Sequence, residues 1–111
     1  MTDKNTAKNE AQNEGVTIAH FEEGTGGKYV AEVPGENTTG HLEWEPRGSN
    51  SVRIATHTIV PPEIGGRGIA ALLVKRLIAD SREDGFKIVP QCWYVAKKFD
   101  ENPDWADLLA D

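Results

Sequence analysis

The chain has 111 residues, 38% of them hydrophobic and 27% charged, with a net charge of −6, and that size makes one domain the expectation. An acidic chain with no basic face argues against binding nucleic acid or an anionic membrane. A single cysteine, Cys92, excludes an internal disulfide and a four-cysteine zinc site. His20, His41 and His57 are too widely spaced to read as a ligand set, so no metal is expected.

Residues 1–15, "MTDKNTAKNEAQNEG", hold no large apolar side chain after Met1 and read as a disordered polar tail. Residues 16–111 are then the domain. The tail has neither the apolar stretch of a signal peptide nor the arginines of a transit peptide, and no apolar run reaches the length of a membrane span. A cytoplasmic monomer is the expectation. "VTIAHF", Val16–Phe21, and "KYVAEV", Lys28–Val33, read as two strands joined by a glycine-rich hairpin. "TTGHLEW", Thr38–Trp44, is a third strand that stops at the turn formers "EPRGSN". The fourth and longest is "SVRIATHTIV", Ser51–Val60. Alternation puts Val52, Ile54, Thr56, Thr58 and Val60 on one face, and Arg53, Ala55, His57 and Ile59 on the other.

Pro61 and Pro62 end that strand, and from Gly68 to Asp84 the apolar period becomes helical, with Ile69, Leu72, Leu73 and Leu77 in one stripe. Gly85 suits the left-handed residue that follows a helix. "FKIVP" is a fifth strand, and "CWYVAKKF" and "PDWADLLA" are two short helical pieces. A strand–helix–strand unit predicts parallel fourth and fifth strands, after an antiparallel meander. The fold class is therefore α+β: antiparallel strands one to four, a main helix, a parallel fifth strand and short C-terminal helices.

Gly65, Gly66 and Gly68 crowd the point where the long helix must start, although glycine weakens helices. One reading is a flexible turn. The other is an anion seat: the first helical N–H groups lack partners, the helix dipole is positive there, and glycine keeps side chains out of the way. The glycines stand too far from the strand end for a Rossmann fingerprint, and no Gly-Lys-Ser/Thr follows for a Walker site. Spacing alone leaves the anion unidentified.

"VPPEIGGRGIAALLV" resembles the acetyl-CoA loop of the GNAT superfamily of N-acetyltransferases, whose pattern is Gln/Arg-x-x-Gly-x-Gly/Ala after strand four. Gly68-Ile69-Ala70 matches its second half, and Gly65 stands where Gln or Arg is usual. Together with "HTIVPPE" and "GFKIVPQCWYVAKKFDENPDW", it looks like the minimal GNAT-like proteins with a Pro-x-Cys-x-Tyr segment after strand five. The resemblance implies that strand five splays from strand four and that the pantetheine arm of acetyl-CoA lies in the gap. It implies further that Gly66, Arg67, Gly68, Ile69 and Ala70 face the pyrophosphate, that backbone at Ile59 and Val60 lines the arm, and that Cys92 lies near the thioester. Larger relatives carry helices between strands one and two that wall the acceptor; here only "EEGTGG" stands there, so the acceptor side should be open.

Acetyl transfer to an amine needs a neutral nitrogen, and a lysine is neutral only about once in a few thousand molecules at pH 7. A base or a desolvating pocket is then useful. His57 is one base candidate, or a half-buried residue packing on the sheet; His20 and His41 read as surface strand residues. Tyr94 could protonate the leaving thiolate or fill the core. Cys92 is either an inert buried thiol or a nucleophile activated at a helix start. Lys97 and Lys98 could meet phosphates or solvent. Three functions fit: an acetyl-CoA-dependent N-acetyltransferase, which is the reading favoured; a non-catalytic CoA or acyl-CoA binding module; and a protein-interaction domain anchored by Trp44, Trp93 or Trp105.

Overall fold

A computed structural model describes residues 15–111, so the tail predicted over 1–15 lies outside the described residues except for Gly15. Four strands come first: β1 (Thr17–Glu23), β2 (Gly26–Glu32), β3 (Thr39–Arg47) and β4 (Ser49–Ile59). A 3-10 turn at Pro62–Ile64 leads into helix α1 (Ile69–Asp84), then β5 (Lys87–Pro90), helix α2 (Trp93–Glu101) and a 3-10 segment at Pro103–Leu108. The strands form one sheet in chain order, antiparallel from β1 to β4 and parallel between β4 and β5. This is the α+β architecture read from the sequence. The strands outrun their predicted ends: the first hairpin closes on Gly24 and Thr25, and β3 continues through "EPR" before turning at Gly48.

The helical stripe buries Ile69, Leu73, Val74, Leu77 and Ile78. They meet Tyr29, Ala31 and Leu42 of the sheet in the main core cluster. Each such aliphatic side chain contributes about 1.5–3 kcal/mol on leaving water, which is why α1 holds together despite the glycine at its head. Gly85 ends it in the left-handed conformation, its N–H bonded to the Ser81 carbonyl at 2.8 Å. Val95 and Phe99 of α2 join the same core, so both helices lie on one side of the sheet. Among the described residues no helix covers the other side, where Phe21 is 50% and Ile59 45% exposed. No described helix is long and apolar enough to cross a membrane.

The alternation predicted along β4 breaks in the middle. Trp44 pairs with Ala55, but the next residue back on β3, Glu43, pairs with His57, which leaves Thr56 as an extra residue. Its hydroxyl donates to the Glu43 carbonyl at 3.2 Å. This β-bulge moves every later side chain to the opposite face. Leu42 and Trp44 share the helix-covered face, so Ala55, opposite Trp44, and Thr58, opposite Leu42, share it too. His57 and Ile59 stand on the uncovered face with Ile54, not with Arg53 and Ala55 as simple alternation has it.

The surface assignment of His20 also fails. Its ring stacks on Tyr29 with centroids 4.5 Å apart, and its Nε2 accepts a hydrogen bond from Trp44 Nε1 at 3.1 Å. Tyr29 donates to Asp80 at 2.8 Å and accepts from Arg53 at 3.2 Å. Burial, reinforced by Asp80, pushes the Tyr29 hydroxyl far above its ordinary pKa, so it stays a donor. The Arg53 guanidinium lies between the Trp44 and Phe86 rings, 3.9 and 4.0 Å from their centroids.

Candidate functional site

Pairing between β4 and β5 runs only from Val52↔Lys87 to Ala55↔Pro90. One further bond, from the Cys92 N–H to the Ala55 carbonyl at 2.9 Å, ends the contact. Beyond it the chain turns into α2, while β4 continues through Thr56–Ile59 with no strand on that side. The result is a slot between the second half of β4 and the start of α2, beginning at the bulge that bends β4.

Cys92 sits in this slot as the N-cap of α2, buried, with its Sγ 3.4 Å from the Thr58 hydroxyl. Burial alone would raise the thiol's pKa. The Thr58 hydroxyl and the N–H groups of Val95, Tyr94 and Thr58 favour the thiolate more strongly, and the net shift is downward from 9.0. Tyr94 is half-buried on the α2 face it shares with Lys98, one turn on. Lys98 lines a small cavity with Ala71, Val74 and Lys75 of α1, so this face turns toward the main helix. Lys97 and Lys98 both lie against Glu101, at 3.8 and 3.1 Å. The Glu101 hydrogen bond, opposed by partial burial, raises the Lys98 pKa.

Beyond the end of β4 the glycine question resolves residue by residue. Gly66 and Gly68 adopt φ of 74° and 76°, a region that costs other L-residues roughly 1–2 kcal/mol, and a Cβ on Gly66 would meet nothing within 4 Å. Gly65 has an ordinary φ of −71° and room for a side chain. Gly68 is the N-cap of α1, with no side-chain cap and no acidic residue in the first turn. The positive end of a sixteen-residue helix therefore faces outward uncompensated. Arg67 stands beside it and is held 3.4 Å from Glu36 of the β2–β3 connection. Ile69 buries its side chain against Gly40, leaving only its backbone for a ligand, and Ala70 is half-buried. Val60 is half-buried and Ile59 exposed.

His57 is exposed on the uncovered face. Its Nδ1 lies 3.6 Å from Glu43, whose other oxygen is 3.3 Å from His41 Nε2. Cys92 touches Thr58 of β4 and its thiol meets main-chain groups of Tyr94 and Val95, while Val60 and Ile69 both lie against Gly40. The fold does not bring His57 to Cys92: Thr58, which touches the cysteine, points to the helix side of β4, and His57 points to the other. Thr58, Glu36 and Glu43 escaped the sequence reading. No local pattern marks a bulge, and Glu36 stands 31 residues before Arg67.

Residues 28–108 match the family model described as GCN5-related N-acetyl-transferase. The fold is similar to the NMR solution structure of a GCN5-like protein from Staphylococcus aureus, at a TM-score of 0.60 and 20% identity, over 83% of this chain and 87% of that one. A comparison with curated proteins finds no match.

Proposed function

The chain belongs to the GCN5-related N-acetyltransferase family, and from that premise we propose that it moves an acetyl group from the thioester of acetyl-CoA to an amine. The observation that supports the proposal is the early end of the β4–β5 pairing, at Ala55↔Pro90, on the strand whose chain leads to the uncapped head of α1. The chain's own residues fit the cofactor. Gly66, Arg67, Gly68 and the backbone of Ile69 and Ala70 would receive the pyrophosphate, each hydrogen bond to a charged group being worth about 1.5–3 kcal/mol. The edge of β4 at Ile59 and Val60 would run beside the pantetheine arm, and Cys92 and Thr58 would lie at the thioester end.

When bound, acetyl-CoA supplies an activated acyl group and a thiol leaving group. His57 takes one proton from the incoming ammonium. Tyr94 would supply a proton to the thiol leaving group and recover one from the acceptor nitrogen. Main-chain N–H groups on the open edge of β4 hold the carbonyl oxygen as charge grows on it. Cys92, whose surroundings favour the thiolate, offers a second nucleophile for the acyl carbon.

Titration with CoA, followed amide by amide, tests the seat: shifts at Gly66, Gly68, Ile69 and Thr58 are expected, and their absence overturns the proposal. Labelled acetyl-CoA with an amine acceptor then tests transfer, and the intact mass of the protein tells whether Cys92 carries the acetyl group on the way. CoA binding without transfer to any acceptor would reduce the function to a binding module.

A further inference from the structure

The sheet face turned away from α1 and α2 has a corner that adjoins the slot. There the β1–β2 hairpin and the bulge enclose a groove of about 300 Å³, walled by Glu23, Glu43, Glu45 and His57. Its floor is backbone. A Cβ on Gly26 would strike the Trp44 carbonyl at 2.3 Å, so no side chain can fill the groove from below. Thr56 lines it as well, one residue from the carbonyl that receives the last N–H before the slot opens.

The walls are under-neutralised. Lys28 answers Glu23 at 3.2 Å, the imidazoles of His41 and His57 flank Glu43, and Glu45 is exposed with no ion pair among the described residues. The chain as a whole carries −6, which attracts cations from a distance. A groove this size sits at the lower limit for a small-molecule pocket, and it is not enclosed, so it suits one long side chain better than a whole small ligand. Phe21, on the β1 edge, and Ile59, at the end of β4, are also exposed on this face.

We propose that the uncovered sheet face docks an extended basic polypeptide, one lysine of which lies along the groove with its ammonium beside His57 and Thr56. The proposal takes from the acyl-transfer reading only the identity of what stands in the slot; the docking itself does not depend on it. Charge complementarity selects the partner: nucleic acid and acidic chains are repelled, and a flexible cationic chain gains the carboxylates.

The test titrates the full chain, without CoA, with a short alternating Ala-Lys peptide, using an Ala-Glu peptide and spermine as controls. Saturable shifts at Gly26, Gly27, Glu43 and Glu45 are expected, weakening as salt rises. Glu45→Lys and Glu23→Lys, both exposed changes that should leave the fold intact, are each expected to weaken the peptide about tenfold. Shifts centred elsewhere, indifference to both charge reversals, or spermine binding as tightly as the peptide would overturn the proposal. A CoA titration of the same sample reads the other site separately. CoA shifts without peptide shifts sink the docking and leave acyl transfer standing; peptide shifts without CoA shifts do the reverse.

Discussion

The two halves of β4 are neighbours in sequence and opposites in chemistry. From Arg53 to Ala55 the strand is paired on both edges, and Arg53 is consumed by Tyr29, Trp44 and Phe86. From Thr56 to Ile59 one edge is bare, the side chains have changed faces, and the nearest group across the gap is a thiol. One inserted residue separates the two. The closed half is tied into the sheet along both edges, whereas the open half is bonded along one edge and meets the Cys92 thiol on the other.

The largest expected effect tests that division directly. Leu73 is fully buried beneath the sheet, and Leu73→Ala should cost about 2–5 kcal/mol in a denaturant titration. Ile59→Ala, on the open half, should cost at most about 0.5–1 kcal/mol. Equal losses would break the comparison. Next in size is the glycine pair: Gly66→Ala should destabilise by about 1–2 kcal/mol through its positive φ, while Gly65→Ala should stay within about 0.5 kcal/mol.

A pH experiment sharpens the closed half. Burial first, and then the Arg53 charge, hold His20 below its ordinary 6.5, and its Nε2 accepts a hydrogen bond from Trp44. The folded state thus prefers the neutral ring. Its contribution is complete above pH 6.5 and is lost as pH falls from there through the lowered folded value. Unfolding followed by tryptophan fluorescence across this pH range should show this slope, and His20→Gln should flatten it. The smallest effect belongs to the open half. Glu36→Gln releases Arg67 from an exposed pair worth about 1 kcal/mol at most, so stability should hardly move while CoA affinity rises by up to about fivefold. Unchanged affinity would mean that Arg67 does not meet the phosphates.

Much of the scaffold was readable along the chain. Apolar periods marked all five strands and α1, Gly85 marked the helix end, and the strand–helix–strand unit marked the parallel pair, because each depends on neighbours within a few residues. That the glycine cluster precedes the main helix and Cys92 starts the next one was equally legible. His20 was misjudged because its partners, Tyr29 and Trp44, come from other strands. The faces of β4 were misjudged because a bulge is a property of two strands in register, and its one extra residue, Thr56, looks ordinary.

The sequence by itself determined which segments are strand or helix, and that a side-chain-poor loop precedes the main helix, since those follow from local backbone preference and apolar spacing. Only the tertiary structure decided that Cys92 meets Thr58, that Glu36 holds Arg67, and that His57 looks out from the opposite face. Each of those contacts joins residues from separate elements, and their relative placement depends on a register set by packing the whole sheet against α1.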